Sequence, residues 1–470
     1  MKTSHTLLFI LSVFLMMGLI GYAIPTKGIK IADATITFPQ FSELVEPSVP
    51  TIDSTQAFLN AQKMRLFIST QQASEEMQRR FAVIRHRYAI SFPNDSIEWI
   101  YPFFAALDNT NEKPIRILHY GDSQIEIDRI TSDLRQSFMN KWGGFGVGLV
   151  PAVQTIPTSA ISQDCDAELT RYMVYGPAEM RSESSHYGVL GQTALIDGSA
   201  TFSFRNIGMS KQCTKRFNTI TILVDEIESA LTISISLGDY KVTKTANTGD
   251  NRIVFALPAA VTQATVTVTG KGLIQAFLLD GDGSGIQYDN AAMRGCSGTI
   301  FTSINRSSLS SYFNYYQVPL IIMQFGGNVV PYLKTEKQIT DYCLSIERQL
   351  RYLRQVSPHS KILFIGPSDM STSIGGHMKT YPMLNSLVES LRQTCLTNDV
   401  AFWSLYHAMG GENSMAQWVK NTPAYAGSDY VHFTPAGATH TAEMLYEAID
   451  VAYQYYQHRI EDDKTQIELQ

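Results

Sequence analysis

Four short stretches of this sequence place reactive or small residues where a chain turns sharply: Gly121-Asp122-Ser123-Gln124, Arg294-Gly295-Cys296-Ser297-Gly298-Thr299, Gly326-Gly327-Asn328 and Asp429-Tyr430-Val431-His432. A serine hydroxyl becomes a nucleophile once a neighbouring base takes its proton. Asp429 and His432, three residues apart, meet within one turn of chain. The carboxylate then orients the imidazole, stabilises its protonated form and leaves the other ring nitrogen for a serine. Asn328 is a neutral amide donor behind two glycines that permit close backbone approach, which suits a developing oxyanion. Further oxyanion donors are the backbone N–H groups of Ser123 and of Gly298, with Gly295 as the alternative register. Taken singly, each stretch has a plainer reading: an N-cap serine, a surface Asp-His pair, a Gly-Asn turn and a domain junction. Their joint order along the chain favours chemistry.

Catalytic groups of open α/β sheets lie beyond the carboxyl ends of the strands, so the flanking sequence must supply strands that end at these stretches. Ile115–Tyr120 is a short apolar run entering Gly-Asp-Ser, followed by a predicted helix from Ile125 to Trp142 and a Gly-rich loop from Gly143 to Gly148. Beyond Gly285 the alternation resumes. Val318–Phe325, Lys361–Ile365 and Val400–Trp403 read as strands, and Lys337–Val356, Met383–Asn398 and Pro435–Tyr456 as helices. Continuous apolar strands alternating with amphipathic helices predict a parallel sheet covered on both faces. Between Pro151 and Leu279 the pattern changes to short alternating runs punctuated by Gly, Asp and Asn, which predicts a β-sandwich. The expected organisation is an α/β domain over residues 111–150 and 285–457, split by an all-β insert over 151–284. Upstream, Lys2 and the apolar run Leu7–Ile24 read as a signal peptide or a single membrane anchor over residues 1–24. Residues 25–110 read as a linker with helical segments at Ser54–Tyr88 and Ser96–Leu107, and residues 458–470 as a polar tail.

The composition narrows the partners. Of 470 residues, 44% are apolar and 17% charged, which is a globular balance. The net charge of −6, with no block of Lys or Arg, argues against a nucleic-acid partner. Cys165, Cys213, Cys296, Cys343 and Cys395 are scattered and lack C-x-x-C spacing, so neither a metal nor a cofactor is expected. They read as buried apolar residues, with a Cys165–Cys213 pairing open if the chain is exported. A G-x-S-x-G elbow and a Walker loop are both missing. His119 reads as a packing residue at a strand end.

The four stretches in this order resemble the SGNH hydrolase superfamily, also called GDSL esterases. GDS stands at 121–123, Gly298 lies within RGCSGT, GGN stands at 326–328 and DYVH at 429–432. The resemblance implies a flavodoxin-like three-layer α/β/α domain and ester hydrolysis through an acyl-serine, with Ser123, His432 and Asp429 catalytic. It implies an oxyanion hole of Ser123, Gly298 (or Gly295) and Asn328. Two positions depart from the pattern. Gln124 replaces a leucine without touching a catalytic role, and Val329 stands where many relatives carry an acidic residue. ILHYGDSQIEIDRIT, GFGVGLVPA at 144–152 and the inserted β-sandwich, expected to be jelly-roll-like, look like the peptidoglycan O-acetylesterase branch. In that branch the insert is similar to a carbohydrate-binding module. What this implies is a secreted enzyme of the periplasm or cell envelope that removes O-acetyl groups from a glycan, with peptidoglycan the first choice. The rival readings are an acetylesterase acting on hemicellulose or another polysaccharide, an acyltransferase, and a non-catalytic envelope glycan-binding protein.

Overall fold

Every residue of the strand β1 (Ile115–Gly121) is buried, as expected of a strand inside a sheet covered on both faces. Its side chains alternate between two cores. Leu118 and Tyr120 point into one, and Ile115 and Ile117 into the other. The two polar residues in this run, Arg116 and His119, are both hydrogen-bonded by side chains, as burial of such groups demands. The computed structural model describes residues 89–281 and 283–468, a few helical positions between residues 9 and 22, and a hairpin of Ile29–Ile31 with Ala34–Ile36. The predicted helix over Ser54–Tyr88 and most of the expected signal or anchor lie outside the described residues. Met1–Glu75 form one compact unit and Glu76–Gln470 another. All four reactive stretches belong to the second unit.

Upstream of β1 lies α1 (Tyr101–Asp108), and α2 (Thr131–Trp142) follows it. Then come β2 (Gly146–Pro151), β3 (Ser162–Cys165), β4 (Thr170–Met173), β5 (Gln192–Arg205), β6 (Phe217–Leu237), β7 (Tyr240–Ala246), β8 (Arg252–Val261) and β9 (Gln263–Asp280). The chain then runs through β10 (Ile286–Ala292), α3 (Arg306–Tyr316), β11 (Leu320–Gln324), α4 (Glu336–Val356), β12 (Lys361–Ile365), α5 (Leu384–Thr397), β13 (Ala401–Trp403) and α6 (Pro435–Glu468). A five-stranded parallel sheet has the order β10-β1-β11-β12-β13. Helices α3, α4 and α5 contribute Leu309, Ile346 and Leu387 to the core on one face. Helices α1, α2 and α6 contribute Phe104, Phe138 and Leu445 to the core on the other. This is the three-layer α/β/α arrangement expected from the alternation. Helix α4 starts where Thr335 and Gln338 form a reciprocal capping box, which satisfies two otherwise orphaned N–H groups.

The insert is one eight-stranded antiparallel sheet with the path β8-β6-β9-β5-β3, to which β2, β4 and β7 add. Alternate residues such as Ile220, Ile222, Phe277 and Leu279 line its own core. Residues Leu223, Ala276 and Leu278 on the opposite side join the core of the α/β domain, together with Leu118 and Tyr120. The insert is therefore packed onto the sheet.

The structure differs from the sequence reading in several elements. The short runs 219–224 and 231–237 are one strand, β6, and 264–269 and 273–279 are one strand, β9. Register shifts between Thr269 and Ala276 bend both strands, and the solvated Glu226 and Glu228 at the bend read like a turn. The Gly-rich loop over 143–148 is in part β2, paired with β9. β10 escapes the sequence pattern because Gln287 and Asp289, both buried, break its apolar run. Helix α2 begins at Thr131 rather than Ile125, after a 3-10 turn over Glu126–Asp128 in which Ile127 and Asp128 have positive φ, as does Ile130 just before the helix. Helix α6 continues to Glu468, through the stretch read as a polar tail. Cys165 and Cys213 are unpaired thiols.

Candidate active site

Strand β1 ends at Gly121, and the turn after it carries Asp122 and Ser123. Asp122 Oδ1 accepts the Gln124 N–H at 2.9 Å, and the Ile125 N–H reaches the Asp122 carbonyl at 3.3 Å. This local closure orients Ser123. With α2 starting only at Thr131, the serine stands on a closed turn and not at a helix N-terminus, so the macrodipole is not what would assist it. Beyond the turn, the left-handed residues are held by a buried ion pair. Arg135 Nη1 meets Asp128 Oδ2 at 2.6 Å, and Thr131 Oγ1 donates to Asp128 Oδ1 at 2.7 Å.

The loop that precedes α6 brings His432 to the same place. His432 Nε2 lies 2.9 Å from Ser123 Oγ, and His432 Nδ1 lies 2.8 Å from Asp429 Oδ2. Asp429 Oδ1 accepts the backbone N–H groups of Val431 and His432, each at 3.0 Å. Burial pushes the Asp429 carboxyl up, but the His432 side chain and these two N–H groups outweigh it, so the group sits below its ordinary value. It is thus the ionised orienter that a Ser-His-Asp arrangement needs. Gln124 joins the two loops, its Nε2 donating to the Val431 carbonyl at 2.7 Å. Sequence reasoning gave Gln124 no part in the site; its only signal was that an amide stands where relatives carry leucine.

Asn328 sits at the exit of β11 in a 3-10 turn over Gly327–Tyr332. Its Nδ2 donates to Asp122 Oδ2 at 2.9 Å and to the Cys296 carbonyl at 3.0 Å. The amide is thereby aimed, and an oxyanion would compete with the Cys296 carbonyl for one of its protons. Asp122 is 4% exposed. Burial pushes its carboxyl up to about 6, against the Gln124 N–H, His432 and Asn328, which pull it down.

The two candidate glycines are placed differently. The Gly298 N–H points at Cys296 Sγ at 3.3 Å, and a Cβ on Gly298 would fall 2.7 Å from the Phe325 ring. Gly295 lines the cleft with Ser123 and Asn328, and a Cβ there would meet nothing within 4 Å. Both have positive φ, so backbone conformation in the sequence could not separate them. Gly295 is held beside the serine turn by its neighbour Arg294, whose Nε and Nη2 reach Glu126 Oε2 at 3.0 and 2.9 Å.

Ser123, Gly295, Asn328 and His432 line one cleft of about 1010 Å³ at the carboxyl ends of β1 and β11, and the insert contributes Ser159, Met209 and Lys211 to its wall. His119, by contrast, is sealed between Tyr288 and Gln324, and burial lowers its pKa to about 3. It is a neutral packing group. Among the described residues, no cluster of three or more His, Cys, Asp or Glu is placed to hold a metal ion.

The site is carried by a parallel α/β/α domain with an antiparallel β insert. Among solved structures, the chain resembles a peptidoglycan O-acetylesterase with a TM-score of 0.61 at 20% identity, over 75% of this chain and 96% of that one. A family two carbohydrate esterase from Cellvibrio japonicus aligns over 63% of this chain and 98% of its own, at 11% identity and a TM-score of 0.25. A GDSL-like lipase from Parabacteroides merdae aligns over 36% and 73%, at 18% identity and a TM-score of 0.25. At such scores the latter two add nothing to the fold assignment. No protein-family model matches the chain, and no curated protein matches it.

Proposed function

We propose that the protein is a serine esterase that removes O-acyl groups, chiefly O-acetyl, from a cell-envelope glycan, with peptidoglycan the first substrate. The observation that carries this reading is the continuous chain Ser123 Oγ–His432–Asp429 at 2.9 and 2.8 Å, of which Ser123 and His432 line an open cleft. In the proposed reaction His432 Nε2 takes the Ser123 proton as Oγ attacks the acyl carbonyl carbon. The Ser123 and Gly295 N–H groups and the Asn328 amide stabilise the oxyanion. Collapse expels the sugar hydroxyl, which receives the proton from His432, and leaves an acyl-serine. Water then attacks the acyl-serine, giving its proton to His432, and the acid departs as the proton returns to Ser123.

The choice of glycan is supported by fold likeness to a peptidoglycan O-acetylesterase and by the insert forming part of the cleft wall. Placement at the cell envelope belongs to the same proposal. It is supported by the apolar run Leu7–Ile24, whose described apolar positions Phe9, Val13, Leu15, Met16, Leu19 and Tyr22 are 40–93% exposed. Among the described residues, no helix is long and apolar enough to cross a membrane.

The test is acetate release from O-acetylated peptidoglycan and from acetylated xylan, with p-nitrophenyl acetate as a small ester. Ser123→Ala is expected to lose at least ~10³-fold in kcat on each substrate that the wild type turns over. Wild-type turnover in a folded Ser123→Ala protein would overturn the nucleophile. Faster release from xylan would overturn the choice of glycan.

A further inference from the structure

A second cavity, of about 530 Å³, opens where the insert meets the α/β domain, and it shares Glu126, Ile127, Asp128 and Arg294 with the catalytic cleft. Its volume lies within the range of about 300–1,000 Å³ typical of small-ligand sites. Five charged side chains line it. Asp128 is paired with Arg135 and Glu126 with Arg294. That leaves Arg171, on β4 of the insert, as the one lining cation that meets no carboxylate of the described residues. Arg171 spends its Nε on Gln192 Oε1 at 2.8 Å and shares the cavity lining with Tyr175. This neutral partner holds the guanidinium in place without neutralising it. Gln154, also in the lining, keeps a buried Oε1 without a hydrogen-bond partner. A partly desolvated guanidinium held by neutral groups is the arrangement that takes up a carboxylate, which it can bind through paired N–H donors.

We propose that this junction cavity is a binding site for a carboxylate-bearing unit of the substrate polymer, with Arg171 as the residue that receives the carboxylate. The inference rests on the proposed glycan esterase activity in one respect: the same polymer would present its ester at Ser123 while the neighbouring unit sits at Arg171. The pattern continues into the catalytic cleft. There Arg129, partly buried in the cleft lining, also makes none of the ion pairs formed among the described residues. A neutral polysaccharide has no group to match either cation; a glycan with an acidic substituent on each repeat does.

The experiment is binding without turnover: co-sedimentation of the full chain with insoluble peptidoglycan that has been de-O-acetylated by mild base. The same material with its carboxyl groups converted to methylamides is run in parallel. Arg171→Gln is expected to raise Kd at least tenfold on the untreated material at an unchanged Tm, and amidation is expected to weaken wild type and variant to the same level. Gln154→Glu, which leaves Arg171 and its packing intact but supplies an internal carboxylate, is expected to weaken binding similarly. Wild-type binding by both variants, indifference to amidation, or no binding by the wild type would each overturn the site. Because no ester is cleaved, failure here leaves the Ser123→Ala test untouched. Failure of acetate release would likewise leave an Arg171-dependent binding result standing.

Discussion

Asp122 and Gln124 flank the nucleophile, and each ties it to a different loop. Asp122 accepts from Asn328, and Gln124 donates to the Val431 carbonyl next to His432. The folded-state pKa of Asp122 is raised, from 3.8 to about 6. Below 3.8 both folded and unfolded chains hold the proton and no penalty exists. As pH rises the unfolded chain ionises first, so stability falls until about pH 6 and is level above it. At 1.36 kcal/mol per pH unit this amounts to about 3 kcal/mol. The stability of Asp122→Asn relative to wild type is therefore expected to rise by about 3 kcal/mol from pH 3 to pH 7, measured by urea unfolding at each pH. A constant difference would mean that Asp122 titrates normally. Gln124→Leu removes one hydrogen bond of ~1 kcal/mol while matching the apolar residue of relatives. It is expected to lower kcat on p-nitrophenyl acetate roughly fivefold with little change in Tm, because only the register of the His432 loop depends on it. An unaltered kcat would show that Gln124 does not position His432.

At the scale of elements, the site depends on turns that only certain residues can make. The segment from Arg294 to Thr299 passes between β10 and the Phe325 ring with Gly298 at φ 81°. An alanine there meets both a left-handed backbone and a 2.7 Å contact with a buried ring. Gly298→Ala is expected to cost ~2–3 kcal/mol of stability. Gly295→Ala, with open space around the added methyl, is expected to cost ~1 kcal/mol for its positive φ alone. Thermal unfolding of the two variants separates them, and equal losses would contradict the placement of these glycines. The 3-10 turn after Ser123 depends similarly on Asp128 and Arg135, which hold three left-handed residues that no helix would tolerate.

At the scale of the whole molecule, the insert and the α/β domain share one core and one buried ionic knot. Arg116 of β1 meets Asp289 of β10 at 2.7 Å and Asp280 at the end of β9. Asp289 also accepts the Leu149 N–H of β2 and the Tyr312 hydroxyl. The knot therefore fastens two insert strands to the edge of the parallel sheet. Removing one member leaves uncompensated buried charge, which costs about 3–5 kcal/mol. Arg116→Ala is expected to lose that much in denaturant unfolding. A loss below 1 kcal/mol would show that the insert is held by apolar packing alone.

The sequence by itself determined the parallel sheet, because largely apolar strands such as Leu320–Gln324 and amphipathic helices such as Glu336–Val356 carry their patterning in the chain. It also placed Ser123 and Asn328 just after strands, and Asp429 and His432 just before the closing helix. Local patterning holds this information, since each signal spans only a few residues. The tertiary structure alone decided the rest. Gly295 and Gly298 have the same backbone requirement, and only the position of the Phe325 ring separates them. Strands β6 and β9 look broken in sequence because solvated residues mark a bend whose continuity depends on pairing across the sheet. β10 was hidden because its buried Asp289 is satisfied by Arg116, Leu149 and Tyr312, none of them its neighbours in sequence. The cavity around Arg171 likewise exists only where distant segments meet, and no spacing along the chain encodes which cation is left without a carboxylate.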